Sequence, residues 1–344
     1  MGSRVLVTGL GTFWGGRVAK ALEADPTVDV IVGLDKVEPS IELERTEYVR
    51  SDESYSILSR IVEATQVDTI VHTFLVVDST QMRGRTMHEI NVIGTMNLFA
   101  AATDSSVRSV VVKSSSYVYG CEPGDPVWFT EEMTRQSPPR HRVERSLAEV
   151  EAYVRDFAVD NPHVAVSMLR FSNVLGPELS TPLSRMLELP VVPSIFGFDP
   201  RFQFVHEDDV VRAVLFVLER ELTGVYNVAG DGLLPWSEVA AICGKRTVPL
   251  PPVGQGLVTA ALGRLGVDIP PEVVDLLRYG RGLDNGRLKR AGFDYTHTSA
   301  GAVQAFIESL RLRRTVGSAD DYRYEREVED FFRRSPAVVR RPLG

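Results

Sequence analysis

The sequence predicts an α/β fold: a doubly wound parallel sheet joined to a smaller mixed C-terminal domain. Three observations predict it. Short, near-continuous apolar runs alternate with helix-length amphipathic segments through the first half, the pattern of a parallel sheet covered on both faces. A glycine-rich turn (Gly9, Gly11, Gly15, Gly16) separates the first run from the first helix. After Gly176-Pro177 the texture changes, and Pro182, Pro190, Pro193 and Pro200 interrupt the chain. Right-handed crossovers make the first part doubly wound.

The elements follow in order. Strands are expected at 4–8, 28–34, 69–73, 109–113 and 165–169, where apolar β-formers run together. Helices are expected between them at 17–24, 57–65, 87–102 and 142–159. Further on, 210–221 reads as a helix and 225–229 as a strand. Helices are also expected at 237–243, 257–265, 272–279 and 302–315, with a charged one at 320–334. The expected division is 1–176 for the sheet domain, with 204–231 returning to it. Residues 177–203 and 232–344 form the smaller substrate domain.

Composition narrows the function. The 344 residues carry 38 Lys plus Arg against 46 Asp plus Glu, a net charge of −8. A nucleic-acid binder needs a basic footprint, which this balance does not provide. With 44% hydrophobic residues the chain has material for a real core. No run approaches the ~18 to 20 apolar residues of a membrane helix. The only two cysteines, Cys121 and Cys243, form no CxxC and no Cys/His cluster. No metal site is therefore expected, and reduced thiols point to the cytoplasm. Val5-Leu6-Val7 follows the N-terminus directly, which leaves no room for a signal peptide's apolar core.

The turn Val7-Thr8-Gly9-Leu10-Gly11-Thr12-Phe13-Trp14-Gly15-Gly16 is a candidate dinucleotide site. Glycines let the backbone approach a pyrophosphate, and the helix N-terminus offers free N–H groups to its charge. Asp35 closes the second strand. A carboxylate there bonds the ribose hydroxyls of NAD and repels the 2′-phosphate of NADP. NAD is the expected cofactor and NADP the less expected one, although Lys36 next door softens the preference.

Later segments carry a resemblance. Asn91-Val92-Ile93-Gly94-Thr95, Ser114-Ser115-Ser116-Tyr117-Val118-Tyr119-Gly120, Leu169 to Pro177, Phe204-Val205-His206-Glu207-Asp208-Asp209-Val210 and Gly224-Val225-Tyr226-Asn227-Val228 occur in order. Together they resemble the extended short-chain dehydrogenase/reductases of the NAD-dependent epimerase/dehydratase family, over residues 3 to 245. The resemblance implies a Rossmann domain holding NAD, with a nucleotide sugar or similar small molecule in the cleft beneath the smaller domain. It implies that Gly9, Gly11, Thr12, Phe13, Trp14 and Gly15 contact the cofactor, along with Asp35, Asp52, Thr73 and Asn91. It places Ser115 as the catalytic hydroxyl, Asn173 near the substrate, and Arg201 as a candidate diphosphate clamp.

Two departures stand out. Thr12 occupies the place of the middle glycine of TGxxGxxG. The family's Tyr and the Lys four residues later are also missing. One helical turn apart, that pair shares a face, and the Lys lowers the phenol's pKa for proton exchange. None of the five lysines (20, 36, 113, 245, 289) follows a Tyr by four. His141-Arg142-Val143-Glu144-Arg145 takes the segment's place, with Glu149 as the acidic residue after the Lys position. His141 and Arg145 thus become the candidate catalytic pair, and Arg145 also a cofactor contact. A neutral His141 is a base near pH 7, and Arg145 would hold ribose hydroxyls. The other readings are recruitment of Tyr117 or Tyr119, or a site that has lost its catalyst.

The leading expectation is an NAD-dependent oxidoreductase or isomerase of this type acting on a hydroxyl by hydride transfer. The alternatives are a non-catalytic NAD-binding sensor and an interaction scaffold. His206 beside Glu207, Asp208 and Asp209 reads as a strand end, with a helix capped by Asp208 or Asp209. Glu131 and Glu132 read as a solvated loop. The 320–334 helix reads as packing on its own domain, or as a homodimer arm or lid.

Overall fold

The structure is a computed structural model that describes residues 2–51, 54–80, 84–252, 263–264 and 269–316. Asp52, most of 257–265 and the 320–334 helix lie outside the described residues. The central sheet has seven strands: β1 (Ser3–Thr8), β2 (Val28–Asp35), β3 (Thr46–Arg50), β4 (Thr69–His72), β5 (Ser109–Ser115), β6 (Ala165–Phe171) and β7 (Gly224–Val228). Their spatial order is β7-β6-β5-β4-β1-β2-β3, and every pairing is parallel. The order reverses beside β1, and ligand sites of open parallel sheets lie beyond the strand ends at such a reversal.

Alternating side chains of the strands feed two cores. Val110 and Val112 face helices α2 (Tyr55–Thr65), α4 (Gly94–Ala102) and α5 (Arg142–Asp160). Val111 and Leu169 face α1 (Phe13–Glu23) and α7 (Glu207–Glu219). Both faces are apolar, so the strands read as continuous hydrophobic runs. Each fully buried Val or Leu adds ~1.5–3 kcal/mol. A third apolar cluster lies further along the chain. Leu187, Val192, Phe202, Trp236, Leu276 and Phe306 meet there, from α6 (Pro182–Glu188), α8 (Trp236–Ile242), α9 (Pro271–Tyr279), α10 (Ser299–Val316) and two short strands.

Several expectations change. β3 was not anticipated, because a half-exposed edge strand, Thr-Glu-Tyr-Val-Arg, lacks the apolar run of its neighbours. The helix expected at 87–102 starts as α3 (Gly84–His88), passes through a π-helical turn at Glu89–Ile93 and continues as α4. α7 is capped by neither Asp208 nor Asp209. His206 is the cap, and its Nδ1 accepts the Asp208 N–H at 3.2 Å. Asp209 is instead buried and accepts from Thr296 and His297. Glu131 is also not solvated: it is buried, and its carboxylate accepts the Asn227 N–H at 2.9 Å. Among the described residues no group of His, Cys, Asp and Glu forms a metal cluster, and no helix is long and apolar enough to cross a membrane.

Candidate active site

The turn after β1 is built by close backbone packing. Gly9 has φ +74°, and a Cβ there would lie 2.9 Å from the Phe74 Cα. A Cβ on Gly15 would lie 2.2 Å from the Gly9 carbonyl oxygen. Thr12 resolves its own anomaly by capping α1. Its hydroxyl donates to the Gly9 carbonyl at 2.7 Å and accepts the Gly15 N–H at 3.2 Å. The N–H groups of Phe13 and Trp14 then open the helix, where no intrahelical acceptor exists. At the end of β2 the Asp35 carboxylate accepts from Gly11 N at 2.9 Å and Val37 N at 3.1 Å. Each carboxylate oxygen keeps capacity for a further donor.

A buried chain of hydrogen bonds joins this turn to the next strands. His72 bridges Thr8 Oγ1 (2.7 Å) and Thr95 Oγ1 (3.0 Å). The Thr95 hydroxyl donates to the Asn91 carbonyl, so His72 is a neutral donor–acceptor there. Burial, then the nearby Lys113, pushes its pKa down to about 3. Asn91 is fully buried and exchanges two 2.8 Å hydrogen bonds with the Val76 backbone. The Thr73 hydroxyl donates to the Thr8 carbonyl at 2.7 Å. Thr73 and Asn91 therefore shape the loop after β4.

That loop walls a cavity of about 330 Å³. The cavity runs from Thr12, Phe13 and Trp14 across the ends of β4 and β5 to Asn173 and residues 179–183. Ser115 lines it and, with Ser172, is buried. The Ser115 Oγ accepts the Tyr117 N–H at 3.3 Å. Ser172 also lines the cavity, and its buried Oγ has no partner among the described residues. Asn173 lines the cavity while its amide donates to the Gln203 carbonyl at 2.9 Å. Tyr117 is in the lining too, but burial pushes its phenol far up, so it holds its proton at neutral pH. Tyr119 lies outside the lining, bonded to Asn227 and Arg170.

The other candidates lie elsewhere. Neither His141 nor Arg145 lines this cavity. His141 precedes α5, and its Nε2 sits 2.8 Å from the Asp275 carboxylate of α9. Arg145 is exposed. The inner face of α5 carries Val143 and Leu147, both fully buried. Glu149 is exposed and sits 3.5 Å from His88. Glu151 is buried and makes a two-pronged pair with Arg170 at 3.0 and 2.6 Å. Arg201 is exposed and outside the cavity lining, because the strand alternation turns Phe202 inward.

Comparison with known proteins decides the family. The model of the NAD dependent epimerase/dehydratase family matches residues 5–229. The chain belongs to the NAD-dependent epimerase/dehydratase family. It is 34% identical over 327 residues to an uncharacterized protein of Mycobacterium tuberculosis, covering 93% of this chain and 86% of the relative. It is 27% identical over 246 residues to the dTDP-D-glucose 4,6-dehydratase of Mus musculus, covering 65% of this chain and 67% of that protein. Among solved structures it resembles DesIV, a dTDP-glucose 4,6-dehydratase from Streptomyces venezuelae solved with NAD and TYD bound. The TM-score is 0.69 and the identity 25%, covering 91% of this chain and 98% of that one. MoeE5, solved with UDP-glucuronic acid and NAD, shares the fold with a TM-score of 0.71 at 20% identity, covering 90% of this chain and 99% of that one.

For an epimerase/dehydratase family member the cleft contains one surprise. Lys113, two residues before the end of β5, lines the cavity and is only 5% exposed. Its Nζ donates to the Leu75 carbonyl at 2.8 Å and the Thr73 carbonyl at 3.4 Å. It also lies 4.7 Å from the Trp14 ring centroid. Burial pushes it down to about 7. In the sequence Lys113 has no place in the family's pair, because Ser109 rather than Tyr stands four residues before it. The signal was present: one charge follows the apolar run Val110-Val111-Val112 within the strand Ser109–Ser115, and lone lysines are rarely buried.

Proposed function

We propose that the chain is an NAD-dependent oxidoreductase of the epimerase/dehydratase type, acting on a hydroxyl of a nucleotide sugar or similar compound. One observation carries this reading. A single cavity joins the glycine turn at Thr12–Trp14 to Ser115, Ser172 and Asn173, so a dinucleotide and a second small molecule would share one space. The residues fit the cofactor. Gly9 and Gly15 keep the turn compact, Phe13 and Trp14 offer N–H groups to a pyrophosphate, and Asp35 is held ready for ribose hydroxyls. When bound, NAD supplies a hydride acceptor. Ser115 would then orient the reacting hydroxyl, and the unpartnered Ser172 hydroxyl and Asn173 would position the substrate. Asp35 favours NAD over NADP through repulsion of a 2′-phosphate.

A second reading, an NAD-binding protein without turnover, is favoured by α5. Of the two acidic residues near the motif's Glu place, the buried one is Glu151, paired with Arg170, and Glu149 is exposed. Counting back from Glu151 by the motif's spacing puts the Tyr and Lys places at Val143 and Leu147, neither of which has an acid–base group. Titration of the full chain with NAD and NADP, followed by protein fluorescence, tests the shared part of both readings. NAD is expected to bind at least tenfold more tightly. A nucleotide-sugar panel scored by reduced-cofactor absorbance then separates them. Turnover supports the oxidoreductase, and tight NAD binding with no turnover supports the second reading. Failure of both cofactors to bind sinks both.

A further inference from the structure

The helix that carries the family's proton-handling pair contributes no ionisable group to this cleft, yet the cleft contains a base. Among the described lining residues Lys113 is the one basic side chain. It precedes Ser115 by two on β5, and strand alternation puts both on one face, about 7 Å apart along the chain. The Leu75 and Thr73 carbonyls fix the amine, and the Trp14 ring flanks it. Trp14 belongs to the glycine turn, so Lys113 touches the dinucleotide turn and shares a strand face with the serine.

We propose that Lys113 is the proton-exchanging group of this cleft, taking the proton of the substrate hydroxyl that Ser115 orients and returning it in the reverse direction. The proposal rests on the oxidoreductase reading above. With NAD as the hydride acceptor the balance closes: the O–H bond gives its proton to Nζ, the C–H bond gives its electron pair as hydride, and a C=O bond forms. The chemistry of Lys113 suits the task. A buried amine with no adjacent carboxylate among the described residues loses its proton near neutral pH, where an acid–base catalyst works best. The titratable groups around it are His72 on β4, Asp78 in the loop beyond β4 and Tyr117 after β5. His72 and Tyr117 stay neutral, and Asp78 is paired with Arg185 at 3.0 Å. From α1 and β6 the neighbours are Trp14 and Leu169, which carry no charge.

The rival role is a staple that holds the 73–75 loop by its carbonyls. Labelling lysine with 13C separates the two in the full chain, because five lysines give five Cε signals and Lys113→Met identifies one of them. The Lys113 signal is expected to titrate near pH 7 and to move on saturation with NAD. Lys113→Met is expected to cut turnover by about 100-fold or more. Lys113→Arg keeps the charge and the donors but cannot release a proton, so it is expected to leave turnover low. A Lys113 signal titrating above about pH 9, or an Arg variant with wild-type turnover, overturns the proposal in favour of the staple. If the wild-type chain binds no NAD, the oxidoreductase reading falls and takes this assignment with it. If NAD binds while Lys113 stays charged above about pH 9, only the assignment falls.

Discussion

The imidazole of His141 and the carboxylate of Asp275 approach to 2.8 Å, with 11% and 5% of the two side chains exposed. The hydrogen bond to Asp275 raises the His141 pKa against the opposing effect of burial, and Glu144 and Glu272 add to the rise. A raised folded pKa binds the proton more tightly than the unfolded chain does. This stabilisation is fully present below the unfolded value of ~6.5 and is lost as pH rises through the folded value. Asp275→Asn is therefore expected to cost ~2 kcal/mol at pH 5.5–6 and clearly less at pH 8.5. Urea denaturation at both pH values checks this, and an equal cost at both would refute the charged pair. The bond ties α5 to α9, a structural role that nothing in the sequence foreshadowed because the partners are 134 residues apart. Lys113 has the opposite sign. Its folded pKa is depressed, so its share of stability rises with pH from about 7 towards its unfolded value.

Mid-way along α5 the sequence places Glu149 and Glu151 two residues apart, and helix periodicity alone does not tell which one turns inward. Packing does. Val143, Leu147, Val150 and Val154 lie in the core beneath β5 and β6, which leaves Glu151 facing the sheet. Its carboxylate holds Arg170 of β6 and accepts the Ser114 hydroxyl of β5 at 2.6 Å. Arg170 passes a hydrogen bond to the Tyr119 hydroxyl, which donates to Asn227 of β7 at 2.8 Å. One helix and three strands are thus tied through one ion pair, with side-chain exposures of 5% and 2%. Removing one partner of a buried pair strands a charge, so Glu151→Gln is expected to cost about 3–5 kcal/mol. Glu149→Gln, at an exposed site, is expected to stay within about 0.5 kcal/mol. Chemical denaturation of the two variants decides it, and similar costs would show that Glu151 is not the anchor. The glycine turn behaved differently. Gly9, Gly15 and Asp35 were legible from the sequence because their role is local: a tight turn, a helix start and a strand end.

Across the molecule, the cavity is bounded on one side by the sheet ends and on the other by α6. Arg185 of α6 reaches Asp78 in the loop after β4 at 3.0 Å and Thr80 at 3.3 Å. With 31% of the Arg185 side chain exposed, solvent screening limits the pair to ~1 kcal/mol. Arg185→Met is expected to speed amide exchange in Pro182–Glu188 about fivefold and to raise the KM for substrate while NAD affinity holds. Unchanged exchange in α6 would show that the bridge does not hold it. By itself the sequence determined the doubly wound sheet, the family and the glycine turn with Asp35, because these rest on periodicity and contiguous motifs. Only the tertiary structure decided which polar groups meet in the cleft. His141 and Arg145 matched the motif's spacing, but a helix presents a new face every residue, and packing turned one toward Asp275 and the other to solvent. Lys113 entered the cleft because β5 ends beneath Trp14, a meeting of residues 99 positions apart that only the folded sheet brings about.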